Sequence, residues 1–218
     1  MKIAKIPATN QQFSIGKIVC LARNYAEHAR ELGNETPAAP VLFMKPATSV
    51  ISDGDTVRIP AYSQECHYEV ELAVLIGTTA RNVMVTHAME HVTGYAVAID
   101  MTLRDVQNGL KAKGLPWEIA KGFDTACPLS DFVPASAVAD PHNLRLRLSV
   151  NGEKCQDGCS SDMINRVPQI ISHISTIFTL EPGDVILTGT PAGVGRVVAG
   201  DVMEAEIEGV GRLKISVQ

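Results

Sequence analysis

The sequence lacks a long hydrophobic run, a block of basic residues and the leader typical of secreted proteins. No stretch approaches the roughly 18 uninterrupted apolar residues of a membrane helix, so no span is expected. The 218 residues carry 19 Lys and Arg against 24 Asp and Glu, which argues against nucleic-acid binding. The first residues, MKIAKIP, lack the apolar core and cleavage site of a signal peptide. A cytoplasmic protein that binds neither membrane nor nucleic acid is expected.

The chain has only 5 cysteines, which is an odd count. Of these, only Cys155 and Cys159 are closely spaced. Cys155 and Cys159 have no second Cys or His pair nearby with which to complete a zinc site. Reduced thiols are therefore the better interpretation, and a zinc site the weaker one.

Many short apolar segments and few helical ones are present, without the regular alternation of strand and helix that builds a doubly wound sheet. Strands are predicted at 17–21, 41–44, 56–59, 67–77, 94–100, 144–150, 185–187, 202–207 and 212–217. Helices are predicted at 24–32, 86–91, 102–113 and 167–180. The sequence predicts one β-rich α+β domain over residues 1–218, with 1–16 as a short N-terminal lead-in.

The stretch from His67 to Gly77, HYEVELAVLIG, carries two carboxylates at the start of an apolar strand. Side chains alternate along a strand, so Glu69 and Glu71 are expected on one face. Two like charges beside an apolar run repel and lose water, and a divalent cation resolves both costs. The alternative is an edge strand with a solvated polar face.

Asp100 is a third acid of interest, because it ends the apolar strand 94–100. Together with Glu69 and Glu71 it would leave about half of an octahedral metal shell open for substrate and water. The alternative is an ordinary cap for the helix predicted at 102–113, for which Thr102 is the expected N-cap.

His28 and Glu31 lie three residues apart on the predicted helix 24–32, so they share a face. A histidine oriented by a carboxylate is a common general base. A solvated surface pair is the alternative. Glu27 could also lie on the Glu31 side of the helix, which weakens the assignment of His28 and Glu31 as a catalytic pair. The Gly/Pro loop 33–40 that follows suggests a lid over 23–40.

Further polar groups follow these acids along the chain. Arg104, Gln107 and Lys111 share one face of the helix 102–113, and Lys121 follows the only tryptophan. Cations near three acids balance their charge and stabilise an oxyanion, although surface charges are the alternative. The loop 188–195, TGTPAGVG, lacks a Gly-Lys-Ser/Thr ending, but its amides and Thr190 could hold a carboxylate, a plain turn being the alternative.

These stretches together resemble the fumarylacetoacetate hydrolase family, in its short subgroup of acylpyruvate hydrolases and oxaloacetate decarboxylases. The matching segments are RNYAEH at 23–28, VLFMKP at 41–46, HYEVEL at 67–72, DMTLRDVQ at 100–107, KGLPW at 113–117 and LTGTP at 187–191. They run in family order over about residues 17 to 217. Ala22 departs from the glycine common in close relatives.

The resemblance implies residue roles and a fold. Glu69, Glu71 and Asp100 would bind Mg²⁺ or Mn²⁺. His28 and Glu31 would activate water, and Lys121 would act with them in catalysis. Substrate binding would fall to Arg23, Arg104, Gln107 and Thr190. The fold would be a mixed β-sheet roll with short peripheral helices, usually a homodimer.

The implied substrate is a small 2-oxo acid. Acylpyruvates (2,4-dioxo acids) would be cleaved at a C–C bond through a pyruvate enolate stabilised by the metal, and oxaloacetate would lose carbon dioxide to the same enolate. Two alternatives stay open. One is a 2-oxo acid isomerase or tautomerase of the same family, and the other is a non-catalytic module that binds metal and a 2-oxo acid.

Overall fold

The computed structural model describes residues 1–33, 35 and 37–218, and its regular structure is mostly strand. In chain order the strands are β1 (Ile3–Ile6), β2 (Gln11–Ser14), β3 (Ile18–Ala22), β4 (Val41–Lys45), β5 (Val50–Ile51), β6 (Thr56–Val57), β7 (Cys66–Tyr68), β8 (Val70–Ile76), β9 (Val92–Ile99), β10 (Thr102–Leu103), β11 (Cys127–Pro128), β12 (Val133–Pro134), β13 (Arg145–Val150), β14 (Glu153–Cys159), β15 (Val185–Leu187), β16 (Gly195–Val197), β17 (Val202–Ile207) and β18 (Gly211–Val217). The α-helices are α1 (Ala26–Glu31), α2 (Arg104–Ala112), α3 (Glu118–Lys121) and α4 (Val167–Ile177). This content confirms the predicted β-rich α+β class.

Two mixed sheets form the body of the molecule. One has the strand order β12-β9-β8-β15-β3-β4, and the other has the order β14-β13-β17-β18-β6. Within them β15 pairs with β3 in parallel, as β18 does with β6, and the remaining pairs are antiparallel. A smaller sheet has the strand order β10-β7-β16. Mixed sheets with short helices are the predicted architecture.

The six-stranded sheet is buried on both faces. On β8, Leu72 and Val74 belong to the larger apolar cluster, and Ala73 and Leu75 belong to the smaller one on the opposite face. A strand covered on both sides needs apolar residues at every position, which explains the continuous run in this segment. Glu71, the second residue of β8, is therefore the polar exception in an otherwise apolar strand.

The strand predicted at 67–77 is two strands, because the ladder breaks at Glu69 between β7 and β8. The backbone N–H of Val70 donates to the side chain of Gln156 at 2.9 Å instead of to a neighbouring strand. The carbonyl of Glu69 accepts from the N–H of Asp100 at 2.7 Å. Glu69 is thus the residue at which the chain passes from one sheet to another.

The helix boundaries also differ from prediction. The helix predicted at 102–113 begins at Arg104. Thr102 does not cap this helix, because it lies in β10, where it pairs with His67 of β7. The segment predicted as a helix at 86–91 is a 3-10 helix, Val85–His91. The helices predicted at 24–32 and 167–180 are shorter, as α1 and α4. None of these helices, within the described part of the chain, is long and apolar enough to cross a membrane.

The first 16 residues, predicted as a lead-in, contain the β1–β2 hairpin. Ala4 and Ile6 alternate with exposed residues and pack into the smaller cluster. This alternation is a strand signal in the sequence, although no strand is predicted over these residues. In the predicted lid, Asn34 and Thr36 lie outside the described residues.

Candidate active site

The three acids predicted as metal ligands converge at one buried point. Oxygen atoms of Glu69, Glu71 and Asp100 all lie within 4.8 Å of one another. Glu69 occupies the break before β8, Glu71 is the second residue of β8, and Asp100 follows the end of β9. Because β8 and β9 are antiparallel with Val70 opposite Ile99, their polar ends meet. The topology therefore brings these carboxylates together, as the sequence pattern predicted.

Buried cations surround two of the acids. The ammonium of Lys121 lies 3.0 Å from Glu69 Oε2 and 2.6 Å from Asp100 Oδ2. The guanidinium of Arg104 contacts the other oxygen of Glu69. Burial alone would raise the pKa of Glu69, but Lys121 and Arg104 outweigh it and hold that pKa well below its usual range. Glu69 is therefore ionised.

Glu71 is the least compensated member of the set. It accepts a hydrogen bond from the backbone N–H of Gly189 at 2.6 Å. Burial, followed by the charges of Asp100 and Glu69, raises the pKa of Glu71 well above its ordinary value. Asp100 Oδ1 is also buried and, among the described residues, has an ion-pair contact but no aligned hydrogen bond. Such a set fits a hard divalent cation such as Mg²⁺ or Mn²⁺.

His28 and Glu31 form the predicted pair in a loose geometry. The distance from His28 Nδ1 to Glu31 Oε2 is 3.5 Å, and His28 is buried while Glu31 is partly exposed. Burial lowers the pKa of His28, so the imidazole is neutral near pH 7. Glu31 also accepts the N–H of Gly193 through both oxygens, at 3.1 and 3.2 Å. A neutral histidine beside a carboxylate can act as a general base.

The glycine-rich loop 188–195 holds carboxylates, as predicted for its amides, but they are the protein's own. Gly189 donates to Glu71 and Gly193 donates to Glu31. Both glycines have positive φ, and a Cβ on Gly189 would lie 2.8 Å from the Cβ of Asn24. The loop therefore ties one acid of the metal set to the His28–Glu31 pair.

One cavity joins nearly all the predicted groups. It is lined by Leu21, Ala22, Arg23, His28, Leu32, Phe43, Glu69, Glu71, Arg104, Gln107, Asn108, Lys111, Trp117, Lys121 and Thr190. Asp100 lies behind this surface, against Lys121, and Glu31 lies behind His28. The rings of Phe43 and Trp117, with centroids 6.0 Å apart, form an apolar wall. The arrangement can bind a small anion between a metal site and a neutral base.

Arg104 and Gln107 act as a linked pair on α2. The guanidinium of Arg104 donates to Gln107 Oε1 at 2.7 Å, so the amide nitrogen of Gln107 is left to face other groups. Their spacing of three residues places both on the cavity face of the helix. The predicted face of α2 is therefore the one that lines the site.

Lys45 is a site residue that sequence reasoning missed. Its ammonium is fully buried and lies 2.7 Å from Asp100 Oδ1. It also donates to the carbonyls of Met101 at 3.2 Å and Ala126 at 3.0 Å, and to that of Lys121. A lysine ending an apolar strand was the available signal. Lys45 fixes Asp100 and the backbone that carries Lys121.

The comparisons with known proteins agree with this geometry. The protein's mixed sheets carry three clustered acids, a set able to hold a metal ion, beside a histidine. Residues 17–218 match the model of the fumarylacetoacetate (FAA) hydrolase C-terminal family, and the chain belongs to that family. It is 52% identical over 201 residues to the mitochondrial oxaloacetate tautomerase FAHD1 of Bos taurus, covering 92% of this chain and 91% of the relative.

Two further relatives extend the comparison. The oxaloacetate tautomerase YcgM of Escherichia coli is 47% identical over 198 residues, covering 90% of each chain. The crystal structure of fumarylpyruvate hydrolase from Pseudomonas aeruginosa, in complex with Mn²⁺ and pyruvate, superposes with a TM-score of 0.95 at 38% identity. That comparison covers 99% of this chain and 95% of the other. The chain is thus an enzyme of this family.

Proposed function

We propose that the protein is a metal-dependent hydrolase that cleaves a C–C bond of acylpyruvates and also acts on oxaloacetate. The observation that carries this proposal is one cavity lined by Glu69 and Glu71 of the acid set and by a buried, neutral His28. The names of the relatives support a substrate of this kind, because they include an oxaloacetate tautomerase and a fumarylpyruvate hydrolase bound to Mn²⁺ and pyruvate.

Glu69, Glu71 and Asp100 would hold the divalent ion. When bound, that ion supplies Lewis-acid stabilisation of negative charge on a 2-oxo acid. Thr190 and Arg23 would hold the substrate, together with the Arg104–Gln107 pair that projects from α2. These groups would place the reacting carbon between the acids and His28.

For an acylpyruvate, His28 would take a proton from water, and Glu31 would stabilise the imidazolium that forms. The water oxygen attacks the C4 carbonyl, and Lys121 and Gln107 stabilise the resulting oxyanion. The C3–C4 bond then breaks, and its electron pair passes to the pyruvate enolate while the other fragment leaves as a carboxylic acid. Protonation of the enolate at C3 gives pyruvate.

Oxaloacetate needs no attacking water, because loss of carbon dioxide yields the same enolate. The tautomerase names of the relatives favour a second candidate, a proton shift between C3 and the C2 oxygen of oxaloacetate that conserves the carbon count. A non-catalytic binding module is disfavoured by the neutral base beside the acids.

The test is a panel assay of acetylpyruvate and oxaloacetate with the Mg²⁺- and Mn²⁺-loaded protein. Pyruvate and acetate as products support hydrolysis, pyruvate and carbon dioxide support decarboxylation, and enol–keto exchange without carbon loss supports the tautomerase. No turnover of either compound would contradict the proposal. A homodimer in the cytoplasm stays a prediction, for which light scattering and cell fractionation are the measurements.

A further inference from the structure

The ammonium of Lys121 has three N–H donors, and side chains of the described residues accept from it three times. The acceptors are Glu69 Oε2 at 3.0 Å, Asp100 Oδ2 at 2.6 Å and Thr102 Oγ1 at 2.6 Å. All three of these residues are buried. The donors of Lys121 are therefore fully used within the protein, and donation to a substrate requires that one of these bonds be released.

Thr102 is the uncharged partner of the ammonium. Glu69 and Asp100 belong to the acid set that fits a divalent ion, and an ion held there would compete with Lys121 for their oxygens. The hydroxyl of Thr102 lies outside that set. Its bond to Lys121 is therefore the contact that persists when the carboxylates are drawn to an ion.

The hydroxyl of Thr102 is itself held in place. Its proton is donated to the carbonyl of Asp100 at 3.3 Å, so a lone pair of Oγ1 is left to accept from Lys121. The backbone of Thr102 is fixed in β10 by pairing with His67 of β7. The preceding carbonyl, that of Met101, accepts from the buried ammonium of Lys45 at 3.2 Å. Thr102 is thus a fixed anchor for the Lys121 ammonium.

The ammonium of Lys121 also lies beside the cavity. Its Nζ atom is 4.8 Å from the centroid of the Phe43 ring, which is within the range of a cation–π contact. Lys121 and Phe43 both line the cavity. An N–H that a carboxylate releases therefore stays at the cavity surface for as long as Thr102 holds the ammonium.

We infer that Thr102 is a positioning residue for Lys121, which holds the ammonium at the cavity so that an N–H released by Glu69 or Asp100 can donate to the oxyanion at C4. This inference rests on the proposed function and names the residue on which its oxyanion contact depends. Hydrolysis of an acylpyruvate forms that oxyanion, whereas decarboxylation of oxaloacetate does not. Thr102 should therefore matter more for hydrolysis.

The kinetic test is Thr102→Val, which keeps the branched side chain in the strand and removes the oxygen. With the Mg²⁺-loaded protein, kcat for acetylpyruvate should fall by about tenfold or more, the factor expected for one lost hydrogen bond to a charged group. KM should change less, because the oxyanion exists only after the water has attacked. Decarboxylation of oxaloacetate should also lose less. Thr102→Ser restores the hydroxyl and should recover most of the lost rate.

A binding test removes turnover from the readout. A phosphinate analogue of the tetrahedral adduct at C4 of acetylpyruvate carries the oxyanion, whereas oxalate mimics the enolate and has no C4. Their dissociation constants are measured by calorimetry on the full-length, Mg²⁺-loaded protein. Thr102→Val should weaken binding of the phosphinate by about tenfold and leave the dissociation constants of oxalate and of Mg²⁺ unchanged.

Two further comparisons guard the test. Thr56→Val is the matched control, because Thr56 is half-buried on β6 and does not line the cavity, and it should behave as wild type does. Thr102→Ala and Thr102→Ser differ only in the hydroxyl oxygen, so this pair carries the same test where valine disturbs the fold. Combined with Lys121→Met, Thr102→Val should cause no further loss, because it acts through that lysine.

The outcomes separate this inference from the function beneath it. Equal weakening of the phosphinate and oxalate, a Thr102→Ser variant no better than Thr102→Ala, or full additivity with Lys121→Met would overturn the role of Thr102 while leaving the proposed function intact. A wild type that neither hydrolyses acetylpyruvate nor binds either ligand would overturn both. A selective loss in Thr102→Val that serine recovers, absent from Thr56→Val, supports the inference.

Discussion

Gln156 and Thr190 are joined by a fully buried hydrogen bond, in which Gln156 Nε2 donates to Thr190 Oγ1 over 2.8 Å. The orientation of the amide is fixed at both ends. Gln156 Oε1 accepts the N–H of Val70 at 2.9 Å, and Nε2 also donates to the carbonyl of Pro191 at 2.9 Å. Because Oγ1 of Thr190 is used as an acceptor, its own proton is left to donate into the cavity.

Gln156→Met should therefore weaken substrate binding more than turnover. The variant leaves the Thr190 hydroxyl free to rotate, and we expect KM for oxaloacetate to rise by roughly tenfold, from the loss of about one charge-assisted hydrogen bond, with a smaller change in kcat. Thr190→Val should behave alike. In a double-mutant cycle the combined variant should be no worse than the poorer single variant. Full additivity would contradict a role through Thr190.

His28→Ala should separate hydrolysis from decarboxylation. Hydrolysis of acetylpyruvate needs an activated water, and a general base is typically worth about 10²- to 10⁴-fold. Decarboxylation of oxaloacetate needs none, so kcat/KM should fall clearly less for that substrate. Lys121→Ala should also impair hydrolysis, by roughly 10²-fold or more through the lost oxyanion contact. Equal losses on both substrates in His28→Ala would leave His28 as a positioning residue.

The free energy of unfolding should depend on pH through His28. Burial lowers the pKa of His28 below its ordinary value of 6.5, so between the folded pKa and 6.5 the unfolded chain binds more protons. Stability should then be fully present above pH 6.5 and decline as pH falls through this window. His28→Gln should remove that part of the decline. Urea titrations of the metal-free protein from pH 5 to 8 measure it, and identical slopes in both proteins would refute it.

Metal binding should release a proton from Glu71. The pKa of this carboxyl is raised by burial and by Asp100 and Glu69, and we expect a divalent ion, which binds the ionised form, to displace the proton that this shift favours. Calorimetric titration with Mg²⁺ in buffers of different ionisation enthalpy should show proton release at pH 7. Glu71→Gln should abolish that release and weaken metal binding. Release unchanged in Glu71→Gln would assign the proton to another group.

Lys45→Met should destabilise the fold and disorder Asp100. Removing one partner of a buried ion pair typically costs about 3–5 kcal/mol, because the remaining charge stays buried. Lys5→Met, at an exposed position on β1, is the control and should have little effect. Adding Asp100→Asn to Lys45→Met should recover part of the lost free energy. Denaturant unfolding measures these changes, and a Lys45→Met variant as stable as Lys5→Met would rule out the role.

The set of three acids could be predicted because it depends on local sequence patterns. Glu69 and Glu71 stand two residues apart at the edge of an apolar run, and Asp100 ends the next strand, so alternation and strand order were enough. His28 with Glu31 and the cavity face of α2 followed from helical spacing in the same way. The family resemblance supplied their expected roles.

What escaped prediction depends on contacts between distant segments. Gln156 and Thr190 are separated by 34 residues in the chain, and Lys45 and Asp100 are further apart still. No periodic sequence pattern predicts either contact. The strand break at Glu69 also follows from tertiary structure, since Gln156 takes the place of a ladder partner for Val70. Local β-propensity does not predict where a side-chain hydrogen bond replaces the backbone pairing of a neighbouring strand.

The position of Glu69 between β7 and β8 has a consequence for folding kinetics. We expect the residue to acquire its place only after the two sheets that it connects have both formed, because those sheets join segments far apart in the chain. Long-range strand pairing of this kind is intrinsically slow. A transition state in which the sheets are still incomplete cannot present all three acids, so a bound ion stabilises only the native state. Divalent ions should consequently slow unfolding and leave the folding rate nearly unchanged.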